Sequence, residues 1–247
     1  MDAFGRAALQ ARIRSKNGAR VANRLLDPLS ARDRRRIAQC GEVIELGLDD
    51  VLHEAGTRLR HVYFPLGGSI SLTAPAETSA GIEVALVGSE GMVGLPLLLG
   101  VSASALHHVV QGAGGALRIT VAAFAKELGR SHALRRRLGR YAYVNLYQLA
   151  QTVACTRFHS VEQRLARWLL MAHDRSSTDS FYATHQFLAD VLGVRRAGVT
   201  NAATALQQAD LIRYRRGSIT MLDRAGLERR ACGCYAAATK MYELMLG

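Results

Sequence analysis

The chain has 247 residues, 49% hydrophobic and 21% charged, which suits one large domain or two modest ones and excludes disorder throughout. Lys and Arg total 32 against 20 Asp and Glu, a formal net charge of +12 that favours a polyanionic partner such as nucleic acid. The most apolar stretch, residues 92–106, is broken by Gly94, Pro96 and Gly100 and falls short of the ~18–20 residues that cross a bilayer, so no membrane partner is expected.

Residues 1–22 carry Arg6, Arg12, Arg14, Lys16 and Arg20 against Asp2 alone. They read as a flexible basic arm without an apolar signal core, and the expected location is cytoplasmic. A short helical lead-in follows, with Ser30 placed to cap an Arg-rich helix from Ala31 to Ala38. From Gly41 to Ile119 the text is short strands between glycines: Glu42–Leu46, Val62–Leu66, Ser69–Thr73, Ile82–Val87, His108–Gln111 and Ala116–Ile119. Regular short strands with Gly punctuation predict an antiparallel barrel or sandwich.

The pattern changes near residue 130. From Ser131 to Thr156 apolar residues recur every three or four positions at Leu134, Leu138, Ala142, Leu146, Leu149 and Val153, beside a second line through Tyr141, Asn145, Gln148 and Thr152. One face suits the barrel and the other a partner helix. A dimer interface is therefore expected at Leu138, Tyr141, Asn145, Leu146, Leu149 and Val153. Phe158–Ala172 reads as a further amphipathic helix and Arg175–Ser180 as a polar loop.

Thr184 can cap a helix over His185–Leu192, which Gly193 ends; a second helix runs from about Arg195 to Ala209. Ala189, Gly193 and Val199 have the spacing of a helix-turn-helix: a small residue where the helices cross, a turn glycine, and an apolar residue of the second helix. Leu211–Tyr214, the basic turn Arg215-Arg216-Gly217 and the return strand Ser218–Leu222 then form a wing. Arg195, Arg196, Arg213, Arg215 and Arg216 are expected to meet DNA.

The order of barrel, long helix and winged helix-turn-helix resembles the Crp/Fnr superfamily of bacterial transcription regulators over roughly residues 23–235. The segments that carry the resemblance are residues 184–200 (THQFLADVLGVRRAGVT), Phe64–Ser69 and Val87–Gly94. It implies an α+β chain: a β-roll of cupin-like jelly-roll type over residues 23–130, a dimerisation helix over 131–156 and a winged helix-turn-helix over 157–247. It further implies a homodimer on double-stranded DNA, with RNA polymerase as a further partner. By position, Arg196 would read guanine. Arg195 would clamp phosphate, Asn201 suits adenine, and Thr184, Ala197 and Thr200 complete the surface. Ala197 stands where the family places a glutamate, so the DNA target should differ from the family's common one.

Cyclic-nucleotide-binding relatives pair a glutamate with an arginine about ten residues later. Here Glu90 and Gly91 are followed by Ser102 and Ser104, with no charged residue from Gly91 to Ala105. A buried phosphate without a cation is costly, so cyclic-nucleotide binding is not expected. Glu90, Gly91, Ser102 and Ser104 remain the candidate effector pocket. The alternative is a β-roll gated by an unidentified small molecule, with DNA binding incidental. His53, His61, His107 and His108 read as ordinary surface or core histidines. The cysteines are Cys40, Cys155, Cys232 and Cys234. Cys232 and Cys234 form a CxC pair with no His or Cys at ligand spacing, so structural thiols and no metal or cofactor are expected. No nucleophile elbow, HExxH or P-loop occurs, so no catalytic residue is assigned and an enzyme is disfavoured.

Overall fold

The computed structural model describes residues 21–76, 79–176 and 178–247. Nearly all of the expected basic arm, residues 1–20, lies outside them. Helix α1 (Ala31–Cys40) begins where Ser30 Oγ accepts the Asp33 N–H at 3.1 Å. Seven strands follow: β1 (Glu42–Leu46), β2 (Val51–His53), β3 (His61–Pro65), β4 (Ser69–Ala76), β5 (Ser79–Val87), β6 (His107–Gly112) and β7 (Gly114–Thr120). They pair antiparallel in two sheets of order β1-β7-β3 and β2-β6-β4-β5. One apolar cluster draws Leu46, Tyr63 and Ala116 from the first sheet and Ile70, Val87 and Val110 from the second. This two-sheet antiparallel roll fits the barrel or sandwich that the strand spacing predicted and the β-roll that the resemblance implied. Strand β2 escaped the sequence reading because three residues are too short to show alternation. At Gly68 the chain turns with φ 71°, and a Cβ there would lie 2.2 Å from the Gly112 carbonyl oxygen, so only glycine fits.

The single helix expected from Ser131 is preceded by another. Thr120 caps α2 (Val121–Arg130), and Ser131 then breaks the chain and caps α3 (His132–Phe158) by accepting the Leu134 N–H at 3.1 Å. Leu134, Leu138, Tyr141 and Val144 of α3 are buried against Leu25, Phe64, Leu117, Ile119 and Phe124. The last helix, α8 (Cys234–Leu246), adds Tyr242 and Leu246 to this same cluster. By sequence position α8 was grouped with the winged domain, but its apolar face packs on the roll and α3.

A separate core unites α4 (Val161–His173), α5 (His185–Leu192), α6 (Arg196–Gln208), β9 (Ile212–Arg215), β10 (Ser218–Met221) and α7 (Arg224–Arg230). Ser160 and Gln163 form a reciprocal capping box at the start of α4. The segment read as a polar loop ends in β8 (Ser180–Tyr182), which pairs with β10, so the wing is a three-stranded sheet of order β8-β10-β9. Its turn residues hid it; the strand exists because β10 offers it a free edge. Among the described residues no helix is long and apolar enough to cross a membrane.

Candidate nucleic-acid interface

The two helices of the helix-turn-helix are set by a few residues. Thr184 Oγ1 accepts the Phe187 N–H at 3.1 Å at the start of α5. Gly193 closes α5 in the left-handed region at φ 60°, and its N–H returns to the Asp190 carbonyl. Ala189 is buried where α5 meets α6, and Val199 is buried on the inner face of α6. Buried Arg164 of α4 donates to the Leu192 carbonyl, placing a cation at the C-terminal end of α5. With the inner face fixed by Val199, Ala202, Ala203 and Leu206, the outer face of α6 is left to Arg196, Ala197, Thr200 and Asn201, all exposed. Arg195 is the N-cap residue of α6, and its side chain caps nothing. Both arginines therefore project from the helix end whose free N–H groups favour anions.

The wing turns through Arg216 and Gly217, with φ values of 51° and 84° between the paired residues Arg215 and Ser218. Two positive φ angles in a two-residue loop suit the twist of a hairpin. Glycine accepts this freely; Arg216 does not, and holds strain of about 1 kcal/mol or more at the tip. Arg213, Arg215 and Arg216 are exposed, and none of these three, nor Arg195 or Arg196, forms an ion pair among the described residues. Thr200 is less free than its exposure suggests: its hydroxyl lies 3.0 Å from His185 Nδ1 and donates to the Arg196 carbonyl.

Sequence reading missed what binds wing to helix. The His185 ring stacks on Tyr214 of β9, with centroids 4.2 Å apart. Gln207 Oε1 of α6 accepts the Tyr214 N–H at 2.8 Å. Burial and the nearby Arg196 charge hold the His185 pKa below its ordinary value, so the ring is neutral against Tyr214 near neutral pH. No local spacing signals these contacts, because Tyr214 reaches both helices only after the wing folds back.

The expected dimer residues divide. Leu138 and Tyr141 are buried within the protomer, a correction to their assignment on an outer face: the roll, not a second helix, covers them. Asn145 is half-buried and donates to the Tyr141 carbonyl of its own helix. Leu146 (65% exposed), Leu149 (37%) and Val153 (72%) face outward, as does Tyr143 (50%), which the sequence reading passed over. Gly139, Tyr143, Leu146, Ala150 and Val153 alternate by four and three along α3, the period of a helix–helix seam.

The candidate effector residues do not converge. Glu90 is held by Arg175 at 2.7 Å and accepts the Gly88 N–H, and it lines a cleft at the junction with the winged domain rather than one shared with Ser102 and Ser104. Gly91 is filled from above: a Cβ there would meet the Tyr141 hydroxyl at 2.1 Å. Ser104 is buried and lies 3.2 Å from His108 Nε2, while Ser102 is exposed. Leu95–Leu99 forms a single 3-10 turn whose Leu97 and Leu98 pack toward α3. Arg118 is engaged by Glu42 at 2.6 Å, and Arg137 by the carbonyls of Arg24, Leu25 and Leu246. The roll does hold one polar cleft, lined by His53, His61, His108, Arg58 and Arg60. There the His53 and His108 rings lie 4.8 Å apart, and burial beside His53 pushes His108 down to about 3.

Residues 163–230 match the model of the Crp-like helix-turn-helix domain. A comparison with curated protein sequences gives no significant match. Among solved structures, a transcriptional regulator of the Crp/Fnr family from Eubacterium rectale aligns at a TM-score of 0.64 and 16% identity, covering 83% of this chain and 96% of that one. FixK2 from Bradyrhizobium japonicum aligns at 0.64 and 13% identity, covering 78% and 98%. The c-di-GMP-responsive global regulator CLP of Xanthomonas campestris aligns at 0.62 and 16%, covering 78% and 100%. At these identities the structural likeness speaks to the fold, and the domain match speaks to the helix-turn-helix. The chain therefore carries a Crp-like helix-turn-helix domain over residues 163–230 and shares the fold of these solved Crp/Fnr-type regulators.

Proposed function

We propose that this regulator works as a homodimer, reads a specific DNA sequence through α6, and carries a roll that takes no cyclic nucleotide. One observation carries the DNA reading: five exposed arginines at the start of α6 and along the wing have no carboxylate partner among the described residues. Unneutralised guanidiniums on two elements locked together by the His185–Tyr214 stack suit a phosphate backbone flanking a groove. Arg196 is assigned to a base edge, Arg195 and the wing arginines to phosphate, and Asn201 to a second base. Selection of bound duplexes from a random pool at stated salt tests this. A two-fold motif with half-sites about 34–36 Å apart supports it; recovery of random sequence overturns it.

The homodimer rests on the exposed row Tyr143, Leu146 and Val153 of α3. Leu146→Glu should give monomers by light scattering and weaken operator binding by about 100-fold, as the second half-site loses its tether. An unchanged dimer would remove α3 from the interface. The silent roll rests on the absence of any charge from Gly91 to Ala105 and on Glu90 being committed to Arg175. Cyclic AMP should leave both melting temperature and operator affinity unchanged; a calorimetric binding isotherm would reverse that reading.

A further inference from the structure

The CxC pair that lacked partners in sequence acquires two in the fold. Cys155 lies in the last turn of α3, and His159 is the residue that ends that helix. Cys232 lies between α7 and α8, and Cys234 is the first residue of α8. The Cys155 and Cys232 sulfurs are 3.4 Å apart, and Cys234 Sγ is 3.7 Å from His159 Nδ1. One ligand atom from each of the four residues falls within 4.8 Å of all the others. All three thiols are buried and form their own cluster between the two larger cores. We propose that Cys155, His159, Cys232 and Cys234 form a Cys₃His site for a structural zinc ion.

The dimensions favour one metal ion. Zn–S bonds of about 2.3 Å and Zn–N bonds of about 2.0–2.1 Å in a tetrahedron put neighbouring ligand atoms roughly 3.4–3.8 Å apart. The Cys155–Cys232 and Cys234–His159 separations, 3.4 and 3.7 Å, fall in that range. A cluster of several irons holds its cysteine sulfurs outside the metals, and so farther apart than a single coordination sphere allows. Four protein ligands leave no open position, which marks a structural rather than a catalytic site. Three thiolates and a neutral imidazole around Zn²⁺ carry a net charge of −1. The surroundings suit that charge. Among the described residues Arg164 and Arg167 are buried beside the cluster without an ion pair to a carboxylate, and Arg167 Nε has no hydrogen-bond partner.

The location says what the metal does. The chain leaves α3 at His159, builds the whole winged domain over α4 to α7, and returns at Cys232. The four ligands therefore clasp the two ends of the DNA-binding domain to each other and to the C-terminus of the long helix. A metal there fixes the angle at which α6 is presented, and stabilises the junction in the way that a cross-link between distant positions does. Cys40, partly buried at the end of α1, stands outside the cluster.

The test uses the full chain, purified without chelator under reducing conditions and then analysed for metal. One zinc per chain is expected. Cobalt(II) titrated into the apoprotein should give thiolate-to-cobalt charge-transfer absorption together with the intense visible bands of a tetrahedral ion, and zinc should bleach both. Cys234→Ser and His159→Ala should lose the bound zinc, while Cys40→Ser keeps it. Removing zinc should increase proteolysis near residues 159–161 and 231–234 before the cores open. No zinc above the level of a Cys155→Ser/Cys232→Ser double variant would overturn the proposal. So would a cobalt spectrum without charge-transfer bands, or rapid alkylation showing a Cys155–Cys232 disulfide in the freshly isolated protein. The cobalt titration of the unmodified chain decides the matter even if a variant fails to fold.

Discussion

At the junction of roll and winged domain, the Arg175 side chain is only 9% exposed, binds Glu90 at 2.7 Å and donates to the Met171 carbonyl. Nearby, Trp168 Nε1 and Ser71 Oγ both donate to the buried Glu83 carboxylate, at 2.8 and 2.6 Å. At the start of α6 and along the wing, Arg195, Arg196, Arg213, Arg215 and Arg216 are exposed and meet no carboxylate. The same side chain serves opposite ends. A guanidinium that is ion-paired inside a junction fixes where two domains sit. An exposed and unpaired one costs little and keeps its charge for an external anion. The net charge of +12 is therefore a poor guide by itself; partner assignment separates structural arginines from those available to DNA.

The largest test breaks the buried pair. Arg175→Met leaves Glu90 half-buried without its cation and should cost about 3–5 kcal/mol in chemical unfolding. The double variant Arg175→Met/Glu90→Gln should recover part of that loss. If the single variant is as stable as the parent, the pair is not what holds the junction.

Next in size is the contrasting change at the interface. Arg196→Ala should leave the melting temperature nearly unchanged and cost about 1–3 kcal/mol on the specific site, relaxing preference at one base pair in each half-site. Equal loss on random and specific duplexes would instead make Arg196 a phosphate clamp and shift base reading to Asn201.

Acid titration sharpens the comparison within the roll and its junction. Burial raises Glu83 to about 6, against hydrogen bonds from Ser71 and Trp168 that lower it. The folded state thus binds the Glu83 proton more readily than the unfolded chain, and this group adds stability as pH falls from about 6 toward 4.5. The margin is about 2 kcal/mol, lost again as pH rises through 6. His108, lowered to about 3 by burial and by His53, acts in the other direction. It is neutral when folded and takes a proton when unfolded, so its contribution is intact above 6.5 and drains away as pH falls toward 3. Glu83→Gln, whose amide can still accept from Trp168 and donate to Ser71, should flatten the first slope. His108→Leu should flatten the second. Thermal melts across pH 3–8 read both, and slopes unchanged in the variants would discard these two groups as their source.

The smallest effect lies at the wing tip. Arg216→Asn removes a charge but suits the left-handed backbone better. Stability should rise by a few tenths of a kcal/mol, while the salt dependence of binding should become shallower by about one ion per subunit. An unchanged slope would place Arg216 away from the DNA backbone.

The amino-acid sequence determined the elements whose logic is local. Thr184, Ala189, Gly193 and Val199 specify a helix pair through a cap, a close crossing, a positive φ and a buried branched side chain, all within one short window. The strand alternation and glycines before residue 120 did the same for the roll. What the sequence could not show depends on residues brought together across long loops. Trp168 meets Glu83, Arg175 meets Glu90, Tyr214 meets His185, and α8 returns past the winged domain to cover α3. The dimer row illustrates the limit: periodicity marked an apolar line along α3 and a second line beside it, but only packing decided that Leu138 and Tyr141 belong to the protomer while Leu146 and Val153 stay exposed. Cys232 and Cys234 had no ligand partners within reach along the chain. They gained Cys155 and His159 because the winged domain leaves and rejoins the core at one point, a closure that no local pattern encodes.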